Sequence, residues 1–272
     1  MPDLLTLVVH RLGHVAHVVL HRPAVRNAID TVMFRELRET AALLGVDPDV
    51  RAIVLSGAGG HFSSGLDLSA LSAMAGGDVT GDQVARTGDT LSRSGATPFQ
   101  QIGWAWQEID VPVIAAIEGC ALGGGLNIAL GADIRVVSPD ARLGFVEMTW
   151  GLVPDLSGTE GGRRAVALDV LKRLILTGEI VGGTEAVALG LATQLADDPV
   201  AVALALASRI AANNPDAVRA AKRLLNRGAE PGVARGLADE VATSAALVGT
   251  PNQVEAVMAR LEKRPASFGA PR

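Results

Sequence analysis

"VIAAIEGCALGGGLNIAL", residues 113–130, is an apolar run interrupted by Gly123, Gly124 and Gly125 and then resumed. Glycine inside a helix or strand costs up to about 1 kcal/mol per residue. Three in a row mark a place where backbone, not side chain, must approach something. The residues before them read as a buried strand, "VPVIAAIEG", and those after as a short helix, "GGLNIALGA".

The same plan recurs on either side. Upstream, "TLVVHR" and "HVAHVVL" read as two strands turning near Gly13. Asp30 can cap a helix running to about Leu44, with Met33, Leu37, Ala41 and Leu44 at helical spacing. "VRAIVLSG" follows as a buried strand with a second glycine-rich exit, "SGAGGHFSSGLD". Downstream come strands "DIRVVS" and "ARLGF", the loop "VEMTWGLVPDLSGT", and an amphipathic helix "AVALDVLKRLILTG" stopped by Gly178. Thr184 should cap a short helix ending at Gly190, and "LATQLAD" closes the pattern. Repeated strand, glycine turn and helix argue an α/β core over residues 1–198. From Pro199 the strand signals stop: residues 199–272 read as a helical region, with Gly228 ending one helix. Residues 72–101 begin small and polar and read as a mobile loop feeding a helix, the usual position of a lid.

The chain has 272 residues, 49% hydrophobic and 19% charged, enough to bury a large core. Its net charge of −5 gives no general attraction for nucleic acid or an anionic membrane. Glu118, Asn127 and the glycines spoil residues 111–132 as a membrane span, and the N-terminal stretch lacks a secretory pattern. A soluble, cytoplasmic protein is expected. The single cysteine, Cys120, excludes an internal disulfide and has no cation beside it in sequence, so it reads as a small buried residue. His10, His14, His17 and His21 alternate along the hairpin without a carboxylate or thiol, which argues a sheet face and no metal. His61 reads as a loop residue. "GGGLNIALG" is not the spaced dinucleotide fingerprint, no P-loop lysine follows a glycine run, and "GHFSSG" misses the serine-hydrolase spacing.

Both glycine-rich stretches follow buried strands, so they lie at the sheet edge where α/β proteins bind ligands. Backbone amides converging there could hold a developing oxyanion, and the amides of Ser64 and Gly124 are the natural pair. Tight turns needing only positive φ are the alternative use of the same glycines. Two carboxylates, Glu147 and Asp155, stand in apolar surroundings eight residues apart, on a loop that can bring both to one ligand. Desolvation would raise their pKa values into the range of proton transfer. Helix capping, or pairing with Arg163 or Arg164, is the other use open to them.

These blocks resemble the enoyl-CoA hydratase/isomerase superfamily, the crotonases. The likeness runs through "RPAVRNAID", "VRAIVLSGAGGHFSSGLDL", "PVIAAIEGCALGGGLNIALGADIRV", "RLGFVEMTWGLVPDLSGT" and "LTGEIVGGTEAVALGLA" in order. It implies a spiral of β-β-α units, a C-terminal helical region building homotrimers or hexamers, and an acyl-CoA thioester substrate. Coenzyme A enters as part of that substrate, and no separate cofactor is implied. By motif position it places oxyanion donors at Ser64 and Gly124, with Gly65, Leu66 and Asp67 along the acyl-thioester channel and Arg26 near the coenzyme A phosphates. Hydratases of the family use two glutamates. Glu147 matches the second, but Asn127 stands at the first and cannot exchange a proton at neutral pH. Val111 replaces a common lysine. The pattern E-x-x-x-G-L-x-x-D-x-x-G-T from Glu147 to Thr159 looks like the dienoyl-CoA isomerases, which use a glutamate and an aspartate to move a double bond. Those enzymes usually carry aspartate where Asn127 stands. Isomerisation is therefore the expected chemistry, with hydration of a 2-enoyl-CoA by Glu147 as sole acid/base, Asn127 binding and orienting the water, and a catalytically silent acyl-CoA-binding subunit as alternatives.

Overall fold

A computed structural model describes residues 4–77, 91–227 and 233–266. Strands β1 (Leu7–Leu12) and β2 (Val15–Leu20) form an antiparallel hairpin around Gly13, whose φ of +60° suits the turn. β2 then pairs in parallel with β3 (Ala52–Gly57), and the sheet continues through β4 (Val113–Ile117), β6 (Ile134–Val137) and β9 (Gln194–Leu195). The order is β1-β2-β3-β4-β6-β9.

The unbroken apolar runs of β3 and β4 have a simple cause: both faces are covered. Ile53, Leu55, Val113 and Ala115 point into the main core with Met33, Leu37, Ala41 and Leu44 of α1 (Thr31–Val46). Their alternates Ala52, Val54, Ile114 and Ala116 face Ala203, Ala207 and Ala211 of α8 (Pro199–Ala211). The helical region beginning at Pro199 therefore shares a core with the sheet, starting with its first helix. Asp30 caps α1 as expected, its carboxylate accepting from the Met33 amide at 2.8 Å.

A smaller sheet holds β5 (Cys120–Leu122), β7 (Arg142–Gly144) and β8 (Ile180–Gly182). β5 and β8 are too short to show a period of two, and the sequence reading passed over both. Further helices are α2 (Leu68–Gly76), α3 (Gln101–Glu108), α4 (Gly124–Leu130), α5 (Gly158–Ala165), α6 (Leu168–Thr177) and α7 (Gly183–Ala188). After α8 come α9 (Pro215–Arg227), α10 (Val233–Leu247) and α11 (Pro251–Leu261).

Some expectations shift. "AVALDVLKRLILTG" is not one helix: α5 ends at Ala165, extended backbone intervenes, and α6 starts at Leu168 before stopping at Gly178 with φ +64°. Thr184 lies inside α7, whose cap is Gly182 with no side-chain bond. The stretch 233–263 divides where Thr250 caps a new helix and Pro251 begins it. Of the loop expected over 72–101, residues 78–90 lie outside the described residues, as does Gly228. Among the described residues no helix is long and apolar enough to cross a membrane.

Candidate active site

The loop after β3 is pinned before it reaches the site. Asn27, in the left-handed region at φ 54°, accepts from the Arg22 amide and donates to the carbonyls of Ala58 and His61. Ser63 is fully buried; its hydroxyl donates to the Asn27 carbonyl at 2.8 Å and accepts from the Gly65 amide at 3.2 Å. Its main chain is bonded to both Cys120 and Leu122, stitching this loop to β5 and the glycine triplet. Sequence reasoning missed Asn27 and Ser63. Asn27 in "RPAVRNAID" was the available signal, as asparagine tolerates left-handed backbone.

The Ser64 amide is not a free donor. It is bonded to the Arg26 carbonyl at 2.9 Å, so the expected pairing of Ser64 with Gly124 is corrected. Two residues on, the situation reverses. Ile29 bonds to the Gly65 carbonyl and receives the Asp67 amide, so the Leu66 amide between them faces the opposite way. Gly65 enforces this turn with φ +94°, and a Cβ there would lie 2.7 Å from the Leu122 carbonyl. Across the gap, Gly124 opens α4, where amides lack intrahelical acceptors. Gly123 before it has φ 51°. Leu66 N lies 4.0 Å from where a Gly124 Cβ would stand, so the Leu66 and Gly124 amides flank one small space.

Two clefts meet there, sharing Leu66 and Leu152. The first, about 420 Å³, is lined by Val25, Arg26, Ser64, Gly65, Asp67 and Gly123 among others. Arg26 is exposed on this rim. Asp67 also lines it, but its carboxylate is spent as the cap of α2 on Ser69 and on Arg22 at 3.0 Å. Hydrogen bonds from Ser69, then Arg22, hold Asp67 below the usual carboxylate range. The second cleft, about 330 Å³, is lined by Ile29, Phe34, Phe99, Leu156, Asp155 and Ser244 among others.

Glu147 sits in a 3-10 turn (Val146–Trp150) after β7 and is buried. Its Oε1 lies 3.6 Å from where a Gly123 Cβ would be, beside the amide pair, and accepts from Asn127 Nδ2 at 3.0 Å. Burial pushes the Glu147 carboxyl up to about 7, with the nearby Asp155 charge adding and the Asn127 hydrogen bond opposing. Asp155 is also pushed upward by burial, against a hydrogen bond from the Ser244 hydroxyl of α10. Neither carboxylate pairs with Arg163 or Arg164: Arg163 meets Glu160, and Arg164 lies over the Trp104 ring. Asn127 Oδ1 and Glu147 Oε2 are buried without a partner.

The other chemical candidates stand apart. Cys120 is buried, and burial raises its thiol although Arg26 and Arg142, distant in sequence, pull the other way. His17 bonds to Ser56 and His14 to the Asp49 carbonyl. Among the described residues no three His, Cys, Asp or Glu side chains could hold a metal. Near Val111, where a lysine was missing, the cation comes from the helical region: Lys222 of α9 donates to the Val111 carbonyl.

The family described as enoyl-CoA hydratase/isomerase matches residues 11–271. The chain is 36% identical over 261 residues to the human "Enoyl-CoA hydratase domain-containing protein 2, mitochondrial", covering 93% of this chain and 85% of that protein. It is 31% identical to the "Short-chain-enoyl-CoA hydratase" of Clostridium acetobutylicum, covering 96% of this chain and 97% of the relative. A solved enoyl-CoA hydratase/isomerase from Mycobacterium paratuberculosis superposes with a TM-score of 0.84 at 28% identity, over 94% of this chain and 99% of the other. The chain therefore belongs to the enoyl-CoA hydratase/isomerase family, with its crotonase fold and its chemistry on acyl-CoA thioesters.

Proposed function

We propose that this protein moves a double bond along an unsaturated acyl-CoA, using Glu147 and Asp155 as a proton-transferring pair. The observation that carries this reading is the placement of two upward-shifted carboxyls near one pair of free amides, Glu147 buried beside Gly123 and Asp155 half-buried on the wall of the second cleft. Asn127, the third polar group nearby, cannot titrate. In this reading the coenzyme A arm lies in the first cleft past Arg26, and the acyl chain enters the second. The thioester oxygen sits between the amides of Leu66 and Gly124.

Glu147, next to Gly123, takes a proton from the carbon adjoining the thioester. The electron pair delocalises to the thioester oxygen, where the two amides stabilise the charge. One such donor is worth roughly 10²–10³ in turnover. Asp155, further along the acyl cleft, returns a proton to a distal carbon, and the double bonds shift. The carboxyls have then exchanged protonation states, and solvent exchange resets them. The rate should rise as pH passes about 7, where Glu147 ionises.

The test compares 3,5-dienoyl-CoA with 2-enoyl-CoA on the wild type and on Asp155→Asn. Isomerisation of the dienoyl thioester should fall by about 10²–10⁴ in the variant. Rapid hydration of 2-enoyl-CoA with no dienoyl turnover, or an unimpaired Asp155→Asn, would overturn the reading.

Hydration by Glu147 alone is the second reading. It is supported by the buried, unpartnered Asn127 Oδ1 and Glu147 Oε2, polar atoms left over for a water or substrate, and by the hydratase names of the relatives. In that case Asp155→Asn leaves hydration intact.

A further inference from the structure

The second cleft has a charged rim that proton transfer does not use. Arg35 and Arg38 of α1 line it together with Phe34, Phe99 and Asp155. Three residues apart on one helix, the two guanidiniums share a face, and like charges so placed repel. Neither has an ion-pair or hydrogen-bond partner among the described residues, in a chain carrying 29 acidic and 24 basic side chains.

The carboxylates near them are occupied elsewhere. Asp30 caps α1 and pairs with Arg22 at 3.4 Å. Glu36 is buried and bound to the Leu5 amide and to the amide and hydroxyl of Thr6. Most of the remaining wall is apolar, with Phe34 and Phe99 packed edge to face at 5.2 Å between ring centres, and its polar members besides Asp30 are Thr31, Ser244 and Asp155, the last bonded to the Ser244 hydroxyl. A largely apolar cleft with two cations at one side, Arg35 feeling only the Glu36 charge on its own helix and neither held in an ion pair among the described residues, matches a chain that is apolar along its length and anionic at its end.

The direction of the cleft fits. Ile29 bridges to Leu66, so the start of α1 lies beside the thioester position. From Thr31 to Arg38 the helix rises roughly 10 Å, a distance that roughly eight carbons of acyl chain would span. We infer that the preferred substrate is an acyl-CoA whose far end carries a carboxylate, held by Arg38 and Arg35. The inference rests on the reading above only in placing the acyl chain in the second cleft. A planar guanidinium pair suits a carboxylate because each fork can donate two parallel hydrogen bonds.

The test measures binding, so it does not depend on which reaction follows. Calorimetric titration of the full chain compares suberoyl-CoA with octanoyl-CoA, and adipoyl-CoA with hexanoyl-CoA, in wild type and in the double variant R35Q/R38Q. The carboxylated partner of at least one pair should bind about tenfold more tightly to the wild type. That preference should shrink at high salt and vanish in R35Q/R38Q, while affinity for the methyl-ended thioesters holds. Equal or tighter binding of the methyl-ended thioester in both pairs would overturn the inference. So would a preference that survives in R35Q/R38Q, since the carboxylate would then be read elsewhere. If Asp155→Asn proves harmless to turnover while the binding preference stands, the chemistry is wrong and the substrate class is not.

Discussion

Glu147 keeps its proton in the fold to about pH 7, against an ordinary value of 4.5. The sign of its stability effect follows. Between those values the unfolded chain has lost the proton and the folded chain still holds it, so stability falls as pH rises from about 4.5 to 7 and then levels off. The full shift corresponds to about 3 kcal/mol. Glu147→Gln should flatten this part of the curve while lowering turnover by at least 10². Urea unfolding of both proteins at several pH values measures it, and parallel curves would show that the carboxyl is not desolvated. Glu147 and Asp155 were legible as candidates because a charged residue in an apolar loop is conspicuous. The amide left free on this loop was misplaced by two residues, Ser64 for Leu66. Which amide is free depends on the Arg26 carbonyl and the Ile29 bridge, neither of which local sequence displays.

At the scale of elements, the spacing of the two donors depends on Ser63. Its hydroxyl and main chain tie the loop after β3 to Asn27 and to β5, and a Cβ at Gly125 would lie 2.5 Å from its carbonyl. That close approach answers the glycine triplet: Gly123 turns the chain, Gly124 presents its amide, and Gly125 lets the helix sit against Ser63. Ser63→Ala leaves the Asn27 carbonyl and Gly65 amide without their bonds, at a cost of about 1–3 kcal/mol in stability. Because the donors shift relative to one another, kcat should fall by about tenfold or more with KM nearly unchanged. A fall in stability with kcat intact would make Ser63 structural only. Helices with clear caps and stripes, such as α1, were readable at this scale. α5 and α6 were fused in the reading because both are short and their break, Val166–Ala167, carries no glycine or proline.

Across the whole molecule, one buried cation ties α9 to the start of the sheet's central strand, beside the core that α8 shares with the sheet. Lys222 of α9, 6% exposed, donates to the carbonyls of Trp106 and Val111 and pairs with Asp133 at 2.8 Å. Asp133 in turn accepts from the Val113 amide at the start of β4. Burial acts against both charges, pushing Asp133 up and Lys222 down. Lys222→Met should therefore destabilise the protein by about 3–5 kcal/mol, because Asp133 loses its counter-charge. Adding Asp133→Asn should recover part of that loss in urea unfolding. Additive losses would show that the two do not act as a pair.

The sequence by itself determined the strands of the main sheet, the hairpin, the first helix and the helical character of the C-terminal quarter, and it singled out Glu147 and Asp155 as candidates. Each rests on local periodicity or local punctuation, which neighbouring residues fully specify. Only the tertiary structure decided which amides are free, where Asp67 spends its charge, which face α8 covers and how Arg35 and Arg38 come to border the second cleft. Those features depend on segments tens of residues apart meeting in space, and a hydrogen bond taken by a distant carbonyl leaves no mark on the residues around the donor.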